Sequence, residues 1–205
     1  MSASESVSAR IDERELISKA KGGDRTSLRS LVDLHKDRLH AFIWRMTRNT
    51  HDAEEICQEA FLKAFASLET FSSEFRFSTW LFTIGYRVCL NRMRRRRIVG
   101  THVELNTLPD KEKVDAETMA ESAEAEQLRG MVWGAVDRLT PPQRATILLF
   151  YRHEFGCHEI ARVLELPLAT VKSHLHRARA RLREMLESAG FGNAGEFRNL
   201  ADGAG

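Results

Sequence analysis

PLATVKSHLHRARARLR, residues 167–183, places five Lys or Arg charges (Lys172, Arg177, Arg179, Arg181 and Arg183) on one short helical stretch directly after a proline-marked turn. Just upstream, HEIARVLEL (158–166) sets Ile160, Ala161 and Leu164 at helical spacing. Two short helices meeting across Leu166-Pro167, with the small Ala161 allowing close approach, predict a helix-turn-helix with a DNA-reading second helix. A solvated basic helix end would also suit the helix dipole. Here the turn, the small residue and the charges coincide, which favours the DNA reading.

Working outward, Leu128, Met131, Val132, Ala135, Val136 and Leu139 form a helical stripe. Thr140-Pro141-Pro142-Gln143 then predicts a cap, a first-turn proline and a capping-box glutamine for the next helix. In the N-terminal half, Asp12 with Glu15 predicts a capped short helix ending at Gly22-Gly23. Asp24 opens a longer one, whose Leu28, Leu31, Val32, His35, Leu39, Phe42, Ile43 and Met46 follow the 3.6-residue period, and Asn49-Thr50 closes it. A third helix over roughly 52–69 carries Ala53, Ile56, Cys57, Ala60, Phe61, Ala64 and Leu68 on one face. Asp52, Glu55, Gln58, Glu59 and Lys63 are expected on its outer face. A loop, FSSEFRF (71–77), leads to a fourth helix over about 78–97.

That loop and helix interleave aromatic and basic side chains. Phe71, Phe75, Phe77 and Trp80 surround Arg76, and Trp80, Thr83, Arg87, Asn91 and Arg94 share a helical face opposite Leu81, Ile84 and Val88. Flat rings on which unstacked bases lie, beside cations that track phosphates, are what single-stranded DNA requires. For Phe71 and Phe77 a core position is an equal alternative. The run RMRRRR (92–97), which includes Arg94 and Arg95, reads as a nucleic-acid contact.

The net charge of +2 over 205 residues hides this segregation, because 104–126 carries eight acidic residues against Lys111 and Lys113. Two basic clusters separated by an acidic strip suggest two contacts with a polyanion. No apolar run is long enough to span a bilayer, and MSASESVSAR lacks a signal-peptide core, so a cytoplasmic location without membrane insertion is expected. Cys57, Cys89 and Cys157 have no paired spacing, and Cys157 reads as a half-buried residue at a helix start. His153, His158, His174 and His176 read as surface histidines near a polyanion. There is no Gly-rich phosphate loop, metal-ligand spacing or nucleophile with a nearby base, so neither enzyme activity nor a cofactor is expected.

Three motifs in order, DAEEICQEAFLKAF (52–65), FSTWLFTIGYRVCLNRMRRRR (77–97) and LTPPQRATILLFYRHEFGCHEIARVLELPLATVKSHLHRARARLRE (139–184), resemble the bacterial extracytoplasmic-function sigma factors over about residues 10–188. The resemblance implies an all-α chain of two small helical domains joined by a flexible acidic linker. A region 2 domain would span 10–97, the linker 98–125, a region 4 helix-turn-helix domain 126–187 and a disordered tail 188–205. It further implies a transcription initiation factor whose partners are core RNA polymerase (the β′ clamp helices and the β subunit) and promoter DNA, with an anti-sigma factor as a further candidate. On that likeness Asp52, Glu55, Gln58 and Glu59 would bind core polymerase. Phe75, Arg76, Trp80, Arg87, Asn91, Arg94 and Arg95 would read and melt the minus-ten element, and Lys172, Ser173, His176, Arg177 and Arg179 would contact the minus-thirty-five element. Three positions depart from the family pattern: Glu165 stands where Gly is usual in the turn, Ala169 where a small flexible residue, often Gly, is usual, and His174 where Arg is usual. Glu165 puts the turn geometry in question, because glycine adopts a left-handed cap most easily. His174 would weaken a phosphate contact or alter base preference.

Other classes fit less well. A recombinase would need catalytic groups that the N-terminal half lacks, and a sigma-like decoy that only sequesters an anti-sigma factor would not need the two basic helices. A plain repressor would bind its site without polymerase.

Overall fold

The structure, a computed structural model, describes residues 13–98 and 123–189, and every regular element among them is helical. The predicted capping residue Asp12, the linker core and the tail from residue 190 lie outside the described residues. The chain divides into two compact units, 1–102 and 103–205.

In the first unit α1 (13–21) is followed by α2 (Arg25–Thr47), α3 (Thr50–Ala66), a short 3₁₀ turn (Leu68–Thr70) and α4 (Phe77–Ile98). Gly23, at φ +87, turns the chain out of α1, and the Asp24 carboxylate then accepts from the Thr26 and Ser27 amides at 3.3 and 3.0 Å to cap α2. At the other end of α2, Arg48 adopts the left-handed conformation (φ 55) and donates its N–H to the Trp44 carbonyl. Asn49 therefore opens α3 instead of closing α2: its side chain accepts from the Asp52 amide at 2.8 Å. The interface of α2, α3 and α4 buries Leu31, Leu39, Phe42, Ile43, Ile56, Ala60, Leu81 and Phe82 almost completely. Gly85 sits mid-helix in α4 because a Cβ there would come within 2.8 Å of Leu39 Cδ1.

The second unit holds α5 (Ala123–Asp137), α6 (Pro141–Ile147) continuing into a π turn (Leu148–Arg152), α7 (Cys157–Leu164) and α8 (Leu168–Ser188). The predicted capping box at the start of α6 does not form. Thr140 makes no side-chain cap bond and Gln143 Oε1 is buried without a partner, while Pro141 and Pro142 at the first two helical positions have no amide hydrogen to satisfy. Arg144, only 8% exposed, instead donates to the carbonyls of Asp137 and Leu139 and satisfies the end of α5. The core comprises Val136, Leu139, Leu148, Leu149, Phe155, Ile160, Val163, Val171, Leu175 and Ala178.

Candidate nucleic-acid interface

The α7–α8 joint is a Schellman turn. Glu165 N–H donates to Arg162 O and Leu166 N–H to Ala161 O, at 3.2 and 2.9 Å, with Glu165 left-handed at φ 54 and ψ 43. The glutamate thus adopts the conformation for which the family pattern uses glycine. Glu165→Gly should stabilise the unit by about 0.5–1 kcal/mol, since a left-handed L-residue costs roughly 1–2 kcal/mol and glycine's extra chain entropy offsets part of the gain. A lower melting temperature for that variant would show the turn to be held by the glutamate side chain itself. Ile160, Val163 and Leu164 fill the joint, whereas Ala161, expected at the close approach, is only half-buried. Val163, one residue round the helix from the predicted stripe, occupies the core position.

α8 is amphipathic along its first three turns. Val171, Leu175 and Ala178 face the core, leaving Lys172, His176, Arg177, Arg179, Arg181 and Arg183 exposed, with Ser173 and His174 half-buried. Arg179 lies over the rings of Phe150 and Tyr151, 5.3 and 5.4 Å from their centroids, which fixes its direction toward the π turn. Sequence reasoning missed Arg138. It follows α5 and joins His176, Arg177, Arg181 and Glu184 in lining a groove of about 760 Å³; convergence from a separate element leaves no local signal. The histidines do not form a surface cluster, because His153 is 3% exposed and His174 half-buried, with Nδ1 inside, while His158 and His176 are exposed. Cys157 is half-buried at the start of α7.

In the first unit the loop aromatics separate. Phe71 and Phe77 are 7% and 1% exposed and belong to the core, where Trp80, half-buried, packs on both at 5.2 and 5.7 Å. Phe75 is 38% exposed, and Arg76, Arg87, Asn91, Arg94 and Arg95 are exposed as well. The arginine run itself is divided. Arg96 donates from both Nη atoms to the Asp52 carboxylate, and Arg92 donates to Glu55 at 2.5 Å. Asp52, expected on the outer face of α3, is 2% exposed and turned inward, because the guanidinium that neutralises it comes from a residue 44 positions away. Glu55 is half-buried between Arg92 and His51. The solvent face of α3 therefore includes Glu54, Gln58, Glu59, which pairs with Lys63 at 2.8 Å, and Leu62, an unpredicted residue 71% exposed. Burial pushes the Cys57 thiol up to about 12, so this cysteine stays protonated inside the core. Among the described residues no group of three His, Cys, Asp or Glu could hold a metal, and no helix is long and apolar enough to cross a membrane.

A helix-turn-helix with a basic second helix, in a chain whose other unit presents a second basic helix, defines a DNA-binding transcription protein. The family profile described as sigma-70 region 2 matches residues 31–98, and that described as sigma-70 region 4 matches 129–182. The chain is 30% identical over 181 residues to the ECF RNA polymerase sigma factor SigW of Bacillus subtilis, covering 84% of this chain and 96% of that protein. It is 32% identical over 170 residues to the ECF sigma factor SigE of Mycolicibacterium smegmatis, covering 80% and 64%. In fold it is similar to CnrH, solved in complex with the cytosolic domain of CnrY (TM-score 0.63, 23% identity, 86% and 97% of the two chains). It is likewise similar to the sigma factor RpoE of Bartonella quintana, solved with the anti-sigma factor NepR (TM-score 0.62, 24% identity, 78% and 96%). The chain belongs to the extracytoplasmic-function sigma factors of bacterial RNA polymerase. It is a DNA-binding transcription initiation factor of the helix-turn-helix type.

Proposed function

We propose that the first unit binds core polymerase and the minus-ten element while the second reads the minus-thirty-five element, each domain as bounded above. The observation that carries this reading is the pair of exposed basic helix faces, Arg87, Asn91, Arg94 and Arg95 on α4 and Lys172, His176 and Arg177 on α8, in two separate units. Each contact alone is modest. Joining them makes the second contact intramolecular, so promoters are selected by the spacing of their two elements. Phosphate contacts from both faces would make binding steeply salt-dependent.

On the first unit, Gln58, Glu59 and Leu62 form the surface offered to the β′ clamp helices; the family likeness adds the β subunit as a further contact. Phe75 and Trp80 receive the unstacked minus-ten bases, with Arg76 and the α4 face along the backbone. On the second, Lys172, Ser173, His176 and Arg177 meet the major groove, and Arg138 and Arg179 meet phosphates. The likeness in fold to the sigma factor RpoE, solved with the anti-sigma factor NepR, supports such a regulator for this chain. All of these partners place the protein in the cytoplasm.

Run-off transcription with core polymerase on genomic fragments tests the whole reading. The expected result is specific starts that need both protein and core. Site-specific binding of duplex DNA by the protein alone, with no stimulation of core, would establish a plain repressor instead. For the docking face, Glu59→Lys should weaken holoenzyme assembly at least tenfold and lower stability by no more than about 0.5 kcal/mol, because the exposed Glu59–Lys63 pair contributes little. Titration of labelled protein against core, beside a thermal melt, measures both. Unchanged affinity would remove Glu59 from the interface.

A further inference from the structure

The two carboxylate–guanidinium pairs between α3 and α4 form an ordered set. Asp52 meets Arg96 and Glu55 meets Arg92, so the partners run antiparallel, one helical turn apart on each helix. The lower rung is the stronger: the Asp52 side chain is 3% exposed and receives both Nη atoms of Arg96, a bidentate fork that a lysine could not reproduce. Beyond Cys89 the apolar burial of α4 runs out. Leu90, Arg92 and Met93 are half-buried, and Asn91, Arg94, Arg95 and Arg96 are exposed. Arginines three and four positions apart in this segment, Arg92 with Arg95 and Arg96, repel one another, which by itself favours fraying. At about 100° per residue, Arg92 and Arg96 fall on one side of α4 and Arg87, Asn91 and Arg94 on the other.

We propose that Asp52 and Glu55 are positioning residues: with Arg96 and Arg92 they form a two-rung latch that keeps the last turns of α4 helical against α3 and so aims Arg94 and Arg95 outward at DNA. This rests on the reading of α4 as the minus-ten helix. The run 92–97 thus divides its labour, with Arg92 and Arg96 anchoring and Arg94 and Arg95 presenting. It also assigns the two acidic residues at the front of the docking motif to the fold, leaving Gln58 and Glu59 to meet polymerase.

Amide hydrogen exchange over residues 90–96 of the full chain tests the latch directly. Asp52→Asn and Arg96→Ala should each accelerate exchange there at least tenfold, with the double variant within twofold of the singles because both break one interaction. Arg96→Lys should fall between, and Glu55→Gln, at a half-exposed site that cannot endanger folding, should give about threefold. In holoenzyme, binding of a single-stranded minus-ten oligonucleotide should fall in step with exchange, while affinity of Asp52→Asn for core polymerase stays within twofold of the parent. Unchanged exchange in both Asp52→Asn and Glu55→Gln, or loss of core affinity with exchange unchanged, would overturn the latch and return Asp52 to the docking surface. If Arg94→Ala with Arg95→Ala leaves oligonucleotide binding intact while Asp52→Asn still loosens 90–96, the latch stands and the minus-ten reading of α4 falls.

Discussion

Lys172→Ala and His176→Ala are expected to change which minus-thirty-five sequences this sigma factor uses, each at a cost of about 1–3 kcal/mol for a lost base contact, or roughly 5- to 150-fold. Both residues are exposed within the first nine residues of α8, and the buried Val171, Leu175 and Ala178 fix the helix's rotation so that they point away from the core. Arg183 lies about 16 Å beyond Lys172 and about 10 Å beyond His176 at 1.5 Å per residue, where a straight helix is leaving a groove about 12 Å wide. Arg138, from a different element, faces the same groove as Arg177 and Arg181. Arg183→Ala and Arg138→Ala should therefore weaken all promoters alike and reduce the salt slope by roughly one unit each. Selection from a randomised promoter library at two salt concentrations separates the two classes. A preference unchanged in both Lys172→Ala and His176→Ala would exclude α8 as the reader.

The outward direction of Lys172 and His176 was legible in the sequence because one helix carries it: apolar positions at 171, 175 and 178 settle which way the intervening basic side chains face. The same local logic found α2, α3 and α4 from their periodicity, with boundary errors where a cap serves the next helix, as Asn49 does. What escaped depends on partners distant in sequence. Nothing near Asp52 announces a guanidinium 44 residues on, so a buried ion-pair member read as a surface acid. Arg138 joins α8 only through the packing of α5. Glu165 shows the converse: the turn hydrogen bonds and the packing of Ile160, Val163 and Leu164 outweigh the conformational preference of one residue.

The loop 71–77 was ambiguous because four aromatics within ten residues can be core or platform, and the structure uses them both ways. That division makes a sharp contrast available. Phe77, 1% exposed and in contact with His35, Phe71 and Trp80, is structural, and Phe77→Ala should cost about 3–5 kcal/mol of stability. Phe75, 38% exposed, should cost little stability when truncated, yet Phe75→Ala removes a stacking surface worth about 1–3 kcal/mol per base. Because a base is available for stacking only once it has left the duplex, that loss falls on promoter opening and not on initial duplex binding. Permanganate reactivity of the minus-ten thymines should drop by roughly 5- to 150-fold in opening equilibrium, converted at 1.4 kcal/mol per tenfold, while the closed complex forms normally. A premelted template should then restore transcription by Phe75→Ala, since the unstacking step has been supplied in advance. Failure of that rescue, in a variant that melts thermally like the parent, would mean that Phe75 acts after opening or not on DNA at all.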